Sequence, residues 1–232
     1  MEPPRVAVVT GATGALGRVV ARALLADGWT VHAPSRERTH ATALTEALGG
    51  GAALHLVQAD VARTADVDRL FAEVDERSGR LDALLNLAGG FAMGRIENTD
   101  PAVWDEMIAT NATSAFLCCR AAVPRLQRAG GGRIVNVASA AALAPRAGIS
   151  AYVASKAAVV ALTRALAAEL AADRITVNAI APTTIDTPAA RAAMPKADHA
   201  GWVTPEAIAE AIRGLLDPGS SGVSGTIVEM GR

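Results

Sequence analysis

Short apolar runs alternate with longer segments of helical periodicity from one end of the chain to the other. The short runs are rich in Val, Ile and Leu, a composition typical of strands buried on both faces of a parallel sheet. They predict seven strands, at residues 5–9, 29–33, 53–57, 81–87, 133–138, 175–180 and 225–230. The longer segments predict helices at about residues 15–27, 39–48, 64–78, 101–128, 151–172 and 205–216.

This alternation predicts the fold class. Repeated strand–helix–strand units indicate an α/β, single-domain, Rossmann-type doubly wound fold, with a parallel sheet of about seven strands and helices on both faces. No linker, repeat or low-complexity tract interrupts the pattern, so residues 1–232 are interpreted as one domain. Such sheets bind ligands at the carboxyl ends of their strands, so the residues after each strand are the candidates for a site.

Composition and charge exclude several classes of partner. A formal net charge of −1 without a basic block argues against a nucleic acid or an anionic membrane. The N-terminal sequence lacks a signal-peptide pattern, and no run of apolar residues is long enough to span a bilayer, so we expect a cytoplasmic protein. The adjacent Cys118 and Cys119 are interpreted as buried packing residues, because a disulfide between neighbours would be strained.

A glycine-rich turn follows the first predicted strand. In "TGATGALG", residues 10–17, Gly11, Gly14 and Gly17 would let the backbone turn tightly and approach a diphosphate. The free N–H groups at the start of the next helix favour such an anion. The alternative interpretation is a turn without a ligand.

The segments after the second and third strands bear on the choice of dinucleotide. Ser35 and Arg36, with Arg38 nearby, occupy the place where an acidic residue would bind the 2′-hydroxyl of NAD(H). They favour NADP(H) over NAD(H), unless Arg36 is only a solvated surface residue. Asp60 follows the third strand and is a candidate acceptor for the adenine amino group or, alternatively, a helix N-cap.

A rare pair stands in "AYVASKAAVVAL", residues 151–162. Tyr152 is the only tyrosine, and Lys156, four residues later, is one of two lysines in a chain that otherwise uses arginine. Residues at this spacing share one face of a helix, so the pair is either a surface neighbour pair or a functional one. A nearby ammonium favours the ionised form of a phenol, so Lys156 would lower the pKa of a Tyr152 acid.

Five short motifs, taken in order, resemble the short-chain dehydrogenase/reductase family. They are "TGATGALG", "NLAGG" at 86–90, Asn111 in "TNATSAF", Ser139 in "NVAS" and "YVASK". The resemblance covers essentially the whole chain and implies an NAD(P)-binding Rossmann-type domain with the catalytic group Asn111, Ser139, Tyr152 and Lys156. Ser139 would bind the carbonyl oxygen and Tyr152 would supply its proton.

The resemblance implies further roles. Lys156 would hold the nicotinamide ribose, and Asn111 would position a water that relays protons to it. The cofactor-binding residues would be Gly11, Thr13, Gly14, Leu16, Gly17, Ser35, Arg36, Asp60, Val61, Asn86, Ala88, Gly89, Tyr152, Lys156, Pro182, Ile185 and Thr187.

The chain departs from the usual family pattern at several places. Ala15 replaces the middle glycine of the first motif, Leu87 the second Asn of "NNAG", and Thr183 a glycine after the sixth strand. The short segment between Pro188 and Pro205 is similar to the lid of dihydropteridine reductases. Those enzymes, however, carry an acidic residue after the second strand and lack the Ser and Asn of the catalytic group.

The function expected from these features is reduction of a small-molecule ketone, including 3-oxoacyl types, by NADPH. A dihydropteridine reductase-like enzyme and a dinucleotide-sensing protein without turnover are the alternatives. Apolar candidates for the substrate pocket are Phe91, Met93, Leu143, Met194 and Trp202. Small residues along 151–172 favour a homo-oligomer, a dimer or tetramer, and the alternative is packing within one chain.

Overall fold

The structure, a computed structural model, describes residues 3–231, so residues 1, 2 and 232 of the predicted domain lie outside the described residues. Seven strands form one sheet in the order β3-β2-β1-β4-β5-β6-β7, and every neighbouring pair is parallel. The strands are β1 Val6–Thr10, β2 Thr30–Ser35, β3 Leu54–Gln58, β4 Ala83–Asn86, β5 Gly132–Val137, β6 Ile175–Pro182 and β7 Ile227–Met230. The strand order reverses between β1 and β4, as a doubly wound sheet requires, and the predicted fold class is confirmed.

The helices agree closely with the sequence pattern. They are α1 Ala15–Ala26, α2 Arg38–Leu48, α3 Thr64–Ser78, α4 Pro101–Met107, α5 Ser114–Arg128, α6 Ser150–Glu169, α7 Pro188–Ala193 and α8 Pro205–Leu216. Two features differ from the prediction. A π-helical turn, Ile108–Thr113, divides the predicted helix 101–128, and α7 lies in a segment for which no helix was predicted.

Both differences have local causes. The π turn contains Thr110, Asn111 and Thr113, which favour helices weakly, and turns of this type occur frequently at functional sites. Helix α7 begins with a strong start signal, because the Thr187 side chain accepts from the Ala190 N–H and Pro188 occupies the first turn. The periodicity of so short a helix is too brief to be recognised in the sequence.

The core lies on both faces of the sheet. Along β1, Val8 faces the layer formed with α3 and α5, whereas Ala7 and Val9 face the layer formed with α1 and α8. This alternation explains why the strands are continuously apolar, since successive side chains point to opposite buried faces.

The two cysteines belong to the α3–α5 layer, and their assignment to packing is confirmed. Burial raises the pKa of Cys118 well above its usual range and that of Cys119 to about 12, so both remain thiols. The Cys119 Sγ accepts a hydrogen bond from the Asn86 side chain.

Within residues 3–231, α6 is the single helix whose length and apolar composition would suffice to cross a membrane. It packs against β6 and carries the buried Ser155, Lys156 and Thr163. One helix of this kind is weak evidence for a membrane span, because the core helices of soluble proteins share these properties.

Candidate active site

The glycine-rich turn after β1 is folded tightly onto its surroundings. Gly11 has a φ of +67°, and a Cβ there would lie 2.8 Å from the Ala88 nitrogen. A Cβ on Gly17 would lie 2.1 Å from the Gly11 oxygen, so both positions require glycine. Ala15 is exposed and begins α1, which is why a methyl group is accommodated where the family has its middle glycine.

The start of α1 has the features of an anion site. Gly14 is its N-cap and provides no side-chain capping bond, so no capping side chain competes for the first N–H groups of the helix. These groups and the glycine backbone form a cradle that fits a diphosphate, because a helix N-terminus favours negative charge.

The end of β2 is open toward solvent. Ser35 is buried and its hydroxyl donates to the Glu37 carbonyl at 2.9 Å, which shapes the turn into α2. Arg36 and Arg38 are exposed at this turn. A cavity of about 480 Å³ lies between α2 and β3, with Ser35 and Arg38 in its wall.

Asp60 shapes the turn that follows β3. Its carboxylate accepts from the Ala62 N–H at 3.0 Å, and its own N–H donates to Asp66 at 2.8 Å. Arg63, not Asp60, is the N-cap of α3, so the alternative interpretation of Asp60 as a helix N-cap is wrong. The carboxylate instead stabilises a turn before the helix, with Val61 inside that turn.

The end of β4 lies beside the glycine turn. The Thr10 hydroxyl accepts from the N–H groups of Leu87 and Ala88, at 3.1 and 3.0 Å. The Leu87 side chain packs against the α1–α8 layer, so this departure from "NNAG" adds apolar contact.

Ser139 and Tyr152 are in contact at the end of β5. Ser139 is the N-cap of a short 3-10 turn and accepts from the Ala141 N–H at 3.2 Å. Its hydroxyl lies near enough to the phenol of Tyr152, in the first turn of α6, to lower the pKa of that phenol. Residues 13 positions apart are thus brought together by the turn between β5 and α6.

Burial raises the pKa of Tyr152, and the neighbouring Ser139 hydroxyl offsets part of that rise. The effect of Lys156 on the pKa of Tyr152 stays a prediction, since burial and Ser139 are the causes that set the direction here. The Lys156 Nζ donates to the Val137 carbonyl at 2.8 Å, and burial lowers the pKa of Lys156 to about 8. Desolvation is the largest cause for both groups, because Lys156 is buried and Tyr152 is partly buried.

Asn111 is bound to the segment after β4 in both directions. Its Oδ1 accepts from the Gly90 N–H at 3.0 Å, and its Nδ2 donates to the Gly90 carbonyl at 3.1 Å. The same Nδ2 donates to the Ser155 hydroxyl at 3.0 Å, which in turn donates to the Tyr152 carbonyl at 2.7 Å. The π turn is thereby linked to the first turn of α6.

Gly89 lies where Asn111 and Lys156 converge. A Cβ on this residue would lie 2.7 Å from the Asn111 Oδ1 and 3.1 Å from the Lys156 Nζ. The structure therefore brings all four residues of the predicted catalytic group to one edge of the sheet, through two separate sets of contacts. Sequence reasoning missed Ser155, although its place directly before Lys156 in "YVASK" was an available signal.

A buried polar chain beneath the site was also missed. The Asn86 Nδ2 donates to the Asn136 Oδ1 at 2.8 Å, the Asn136 Nδ2 donates to the Thr163 hydroxyl at 2.9 Å, and this hydroxyl donates to the Val159 carbonyl at 2.8 Å. It joins β4, β5 and α6, so Asn86 faces the interior of the sheet. The available signal was a polar Asn inside each of two apolar strands.

The segment after β6 forms the remaining wall. Thr183 donates its N–H to Met230, and its hydroxyl is buried without a hydrogen-bond partner among the described residues. Ile185 pairs with Val203 after Pro182, and the Thr187 hydroxyl is engaged as the cap of α7. The wall thus offers one unused hydroxyl, at the position where the family usually has glycine.

The short lid is folded on itself. Asp186 and Arg191 form an ion pair with two hydrogen bonds, at 2.5 and 2.7 Å, which lowers the pKa of Asp186. His199 bonds to the Met194 carbonyl at 3.1 Å, and its ring lies 4.2 Å from that of Trp202. The lid's similarity to dihydropteridine reductases stays a prediction.

Comparison with known proteins assigns the family. The family model for short chain dehydrogenase matches residues 5–198, so the chain belongs to that family. It is an NAD(P)-dependent oxidoreductase of this class.

Particular relatives span much of the chain. It is 39% identical to a 3beta-hydroxysteroid dehydrogenase of Mediterraneibacter gnavus, over 79% of this chain and 67% of that protein. It is 36% identical to a 3-oxoacyl-[acyl-carrier-protein] reductase of Staphylococcus aureus, over 78% of this chain and 75% of that protein. A 3-ketoacyl-(acyl-carrier-protein) reductase from Brucella melitensis, solved with NADH, superposes with a TM-score of 0.87 at 29% identity, covering 98% of this chain and 96% of that chain.

Proposed function

We propose that the protein is an NADP(H)-dependent carbonyl reductase that converts a ketone into an alcohol, with 3-oxoacyl compounds as the first class to test. The observation that carries the proposal is that the buried Ser139 hydroxyl and the Tyr152 phenol lie together at the end of β5, with Asn111 bonded through Ser155 to the Tyr152 backbone. It places a donor and an acid together at the carboxyl edge of the sheet, where ligands bind in this fold.

The two hydroxyl groups have complementary roles. The bound dinucleotide supplies the hydride that the carbonyl carbon receives. Ser139 donates a hydrogen bond to the carbonyl oxygen, and Tyr152 transfers its phenol proton to that oxygen as negative charge develops there. Because burial raises the pKa of Tyr152, its phenol is protonated at neutral pH and ready to act as an acid.

Lys156 and Asn111 support this acid. Lys156 holds the nicotinamide ribose hydroxyls, and Asn111 positions a water through which solvent returns a proton to Tyr152. The proposal draws support from the position of Gly89, whose open side both side chains approach. Ser155 acts as a positioning residue, because it joins Asn111 to the backbone of Tyr152.

Residues from this point to the end of β2 would hold the rest of the dinucleotide. The turn containing Gly11, Gly14 and Gly17 binds the diphosphate, and the exposed Arg36 binds the 2′-phosphate of NADP(H). Asp60 binds the adenine, and the unpaired Thr183 hydroxyl is a further group available to the nicotinamide carboxamide. The proposed preference for NADP(H) depends on Arg36, whereas the Brucella melitensis relative was solved with NADH.

We further propose a cytoplasmic homo-oligomer, a dimer or tetramer. Only 33% of the apolar window of α6 is buried within the chain, and the exposed Phe116 lies on the preceding helix α5. Light scattering coupled to gel filtration tests this, and a monomer at micromolar concentration contradicts it.

The function is tested by following NADPH and NADH oxidation by the purified protein. The panel contains 3-oxo esters, small ketones and a quinonoid dihydropterin. We expect turnover of ketones with NADPH. Turnover of the dihydropterin alone contradicts carbonyl reduction and favours the dihydropteridine reductase alternative, and absence of turnover with tight dinucleotide binding favours the sensing alternative.

A further inference from the structure

An aromatic pair stands at the reacting end of the site. The rings of Phe91 and Tyr152 lie 4.9 Å apart between centroids and are inclined by 75°. We infer that Phe91 is a specificity-determining residue, which forms with Tyr152 an aromatic corner that selects ketones bearing a flat ring or conjugated system beside the carbonyl. The inference rests on the proposed carbonyl reduction.

Phe91 is held at the site by its backbone. The preceding residue, Gly90, exchanges two hydrogen bonds with Asn111, at 3.0 and 3.1 Å. At the other end of the segment, the Gly94 N–H donates to the Gly148 carbonyl at 2.8 Å, just before α6 begins. Asn111 is linked through Ser155 to the Tyr152 backbone, and Gly148 lies just before the helix that carries Tyr152. Both ends of the Phe91 segment are therefore held in place relative to Tyr152.

The exposure of Phe91 indicates a ligand rather than a packing role. Its side chain is 59% exposed, and that of Met93 in the same segment is 76% exposed. Water in contact with an aromatic face is unfavourable, so a ligand that covers the face gains affinity. A buried packing residue would instead be enclosed like Phe71, which is fully buried.

The geometry favours a flat ligand over a bulky aliphatic one. Aromatic rings prefer edge-to-face or offset-stacked contacts at centroid distances of about 4.5–7 Å. Two rings that are nearly perpendicular form a corner, in which a third flat ring can stack on one and present its edge to the other. A carbonyl attached to that ring then lies near the Tyr152 hydroxyl, whereas a puckered aliphatic ring cannot make both contacts.

The residues next to Phe91 along the chain place no unpaired charge beside the corner. Arg95 and Glu97, which follow the segment, form an ion pair with each other, with a 2.5 Å Nε–Oε1 distance. The segment itself, "AGGFAMG" at 88–94, contributes no ionisable side chain. The selected compounds are therefore neutral aryl or conjugated ketones.

The test compares two ketones of equal carbon count, acetophenone and cyclohexyl methyl ketone, with NADPH. The measured quantity is the ratio of their kcat/KM values, because intrinsic reactivity cancels when variants are compared with the wild-type protein. In Phe91→Leu we expect the aryl-to-cyclohexyl ratio to fall about tenfold, which corresponds to about 1.4 kcal/mol. In Phe91→Tyr, which keeps the ring, we expect the wild-type ratio.

Ile96→Leu is the control, since Ile96 is 73% exposed in the short 3-10 turn Ile96–Asn98 that follows the segment and has no ring to stack. We expect it to leave the ratio unchanged. Turnover of both ketones with an unchanged ratio in Phe91→Leu contradicts the inference alone. Turnover of neither ketone by the wild-type protein contradicts carbonyl reduction, and the inference falls with it.

Discussion

Beside β4, β5 and α6, the functional side chains are buried and bonded, whereas beside β2 they stand in solvent. Asn111, Ser139 and Lys156 are only 1%, 6% and 5% exposed. Asn111 and Lys156 bond to neighbouring segments, and Ser139 accepts from Ala141 within its own turn. Arg36 and Arg38 are exposed. We call the part beside β4, β5 and α6 the catalytic half of the site and the part beside β2 its cofactor half. Proton transfer in the catalytic half requires fixed geometry, whereas the attraction of a phosphate in the cofactor half acts over longer distances.

Burial of charge in the catalytic half lowers the stability of the fold. Enclosing Lys156 lowers its pKa from 10.5 to about 8, so the folded protein holds an ammonium that would be better solvated in the unfolded chain. The cofactor half has no such desolvation cost, since its exposed arginines keep their hydration. Variants in the two halves should therefore differ in kind as well as in size.

The largest effect is expected from Tyr152→Phe, which removes the acid and keeps the ring beside Phe91. We expect kcat for ketone reduction to fall about a thousandfold, within the range for loss of a general acid. NADPH affinity, measured by fluorescence titration, should be unchanged. Retained turnover would contradict the role of Tyr152. Loss of NADPH binding would show that the catalytic half and the cofactor half of the site do not act independently.

Ser139→Ala should have the next largest effect. Loss of this donor should lower kcat about a hundredfold, as for removal of one donor to a developing oxyanion. The Ser139 side chain lowers the pKa of Tyr152, so without its hydroxyl that pKa should rise further. The pH profile of alcohol oxidation, which needs the phenolate, should shift to higher pH, and an unshifted profile would argue that Ser139 does not act through Tyr152.

Lys156→Met should abolish catalysis while stabilising the fold. The difference between 10.5 and about 8 is about 2.5 pKa units, worth about 3 kcal/mol below pH 8. Loss of the bond to Val137 offsets about 1 kcal/mol of that. We expect the free energy of unfolding at pH 7 to rise by about 2 kcal/mol in chemical denaturation.

The sign of this prediction can be tested by pH. Between pH 8 and 10.5, Lys156 is protonated to a greater extent in the unfolded wild-type chain than in the folded protein. The contribution of Lys156 should therefore make the wild-type protein more stable as the pH rises across this window. The advantage of Lys156→Met should therefore shrink toward pH 10.5. Lys196→Met, at the other, exposed lysine, is the control and should change stability at neither pH.

Arg36→Asp should have the smallest effect and should change selectivity alone. An acidic residue there repels the 2′-phosphate and accepts from a 2′-hydroxyl, so we expect the NADPH-to-NADH ratio of kcat/KM to fall at least about tenfold, or 1.4 kcal/mol. Arg146→Asp, an exposed arginine before α6, is the control. An unmoved ratio would remove Arg36 from the cofactor site, and the wild-type preference should weaken in high salt.

Most of the secondary structure could be predicted from the sequence. Each predicted strand lies within two residues of an observed one at either end, and helices α3 and α8 have the predicted bounds. These elements are recognisable because the period of apolar residues is a local property, and Gly, Pro and Thr mark the boundaries. The seven strands sufficed to predict a parallel sheet.

The side-chain contacts within the site could not be predicted from the sequence. The bond between Asn111 and Ser155 joins residues 44 positions apart, and that between Asn86 and Asn136 joins residues 50 positions apart. The motifs named Asn111 and Asn86 without showing these partners. The aromatic contact of Phe91 with Tyr152 is likewise set by the loops that return to Gly90 and Gly148.

By itself, then, the sequence determined the order of strands and helices, the family and the residues that meet at the carboxyl edge of the sheet. The tertiary structure decided how those residues act on one another: that Lys156 bonds to Val137, that the pKa of Tyr152 rises, and that Phe91 remains open beside it. The physical reason is that periodicity and turn chemistry act between near neighbours, whereas desolvation depends on everything packed around a group.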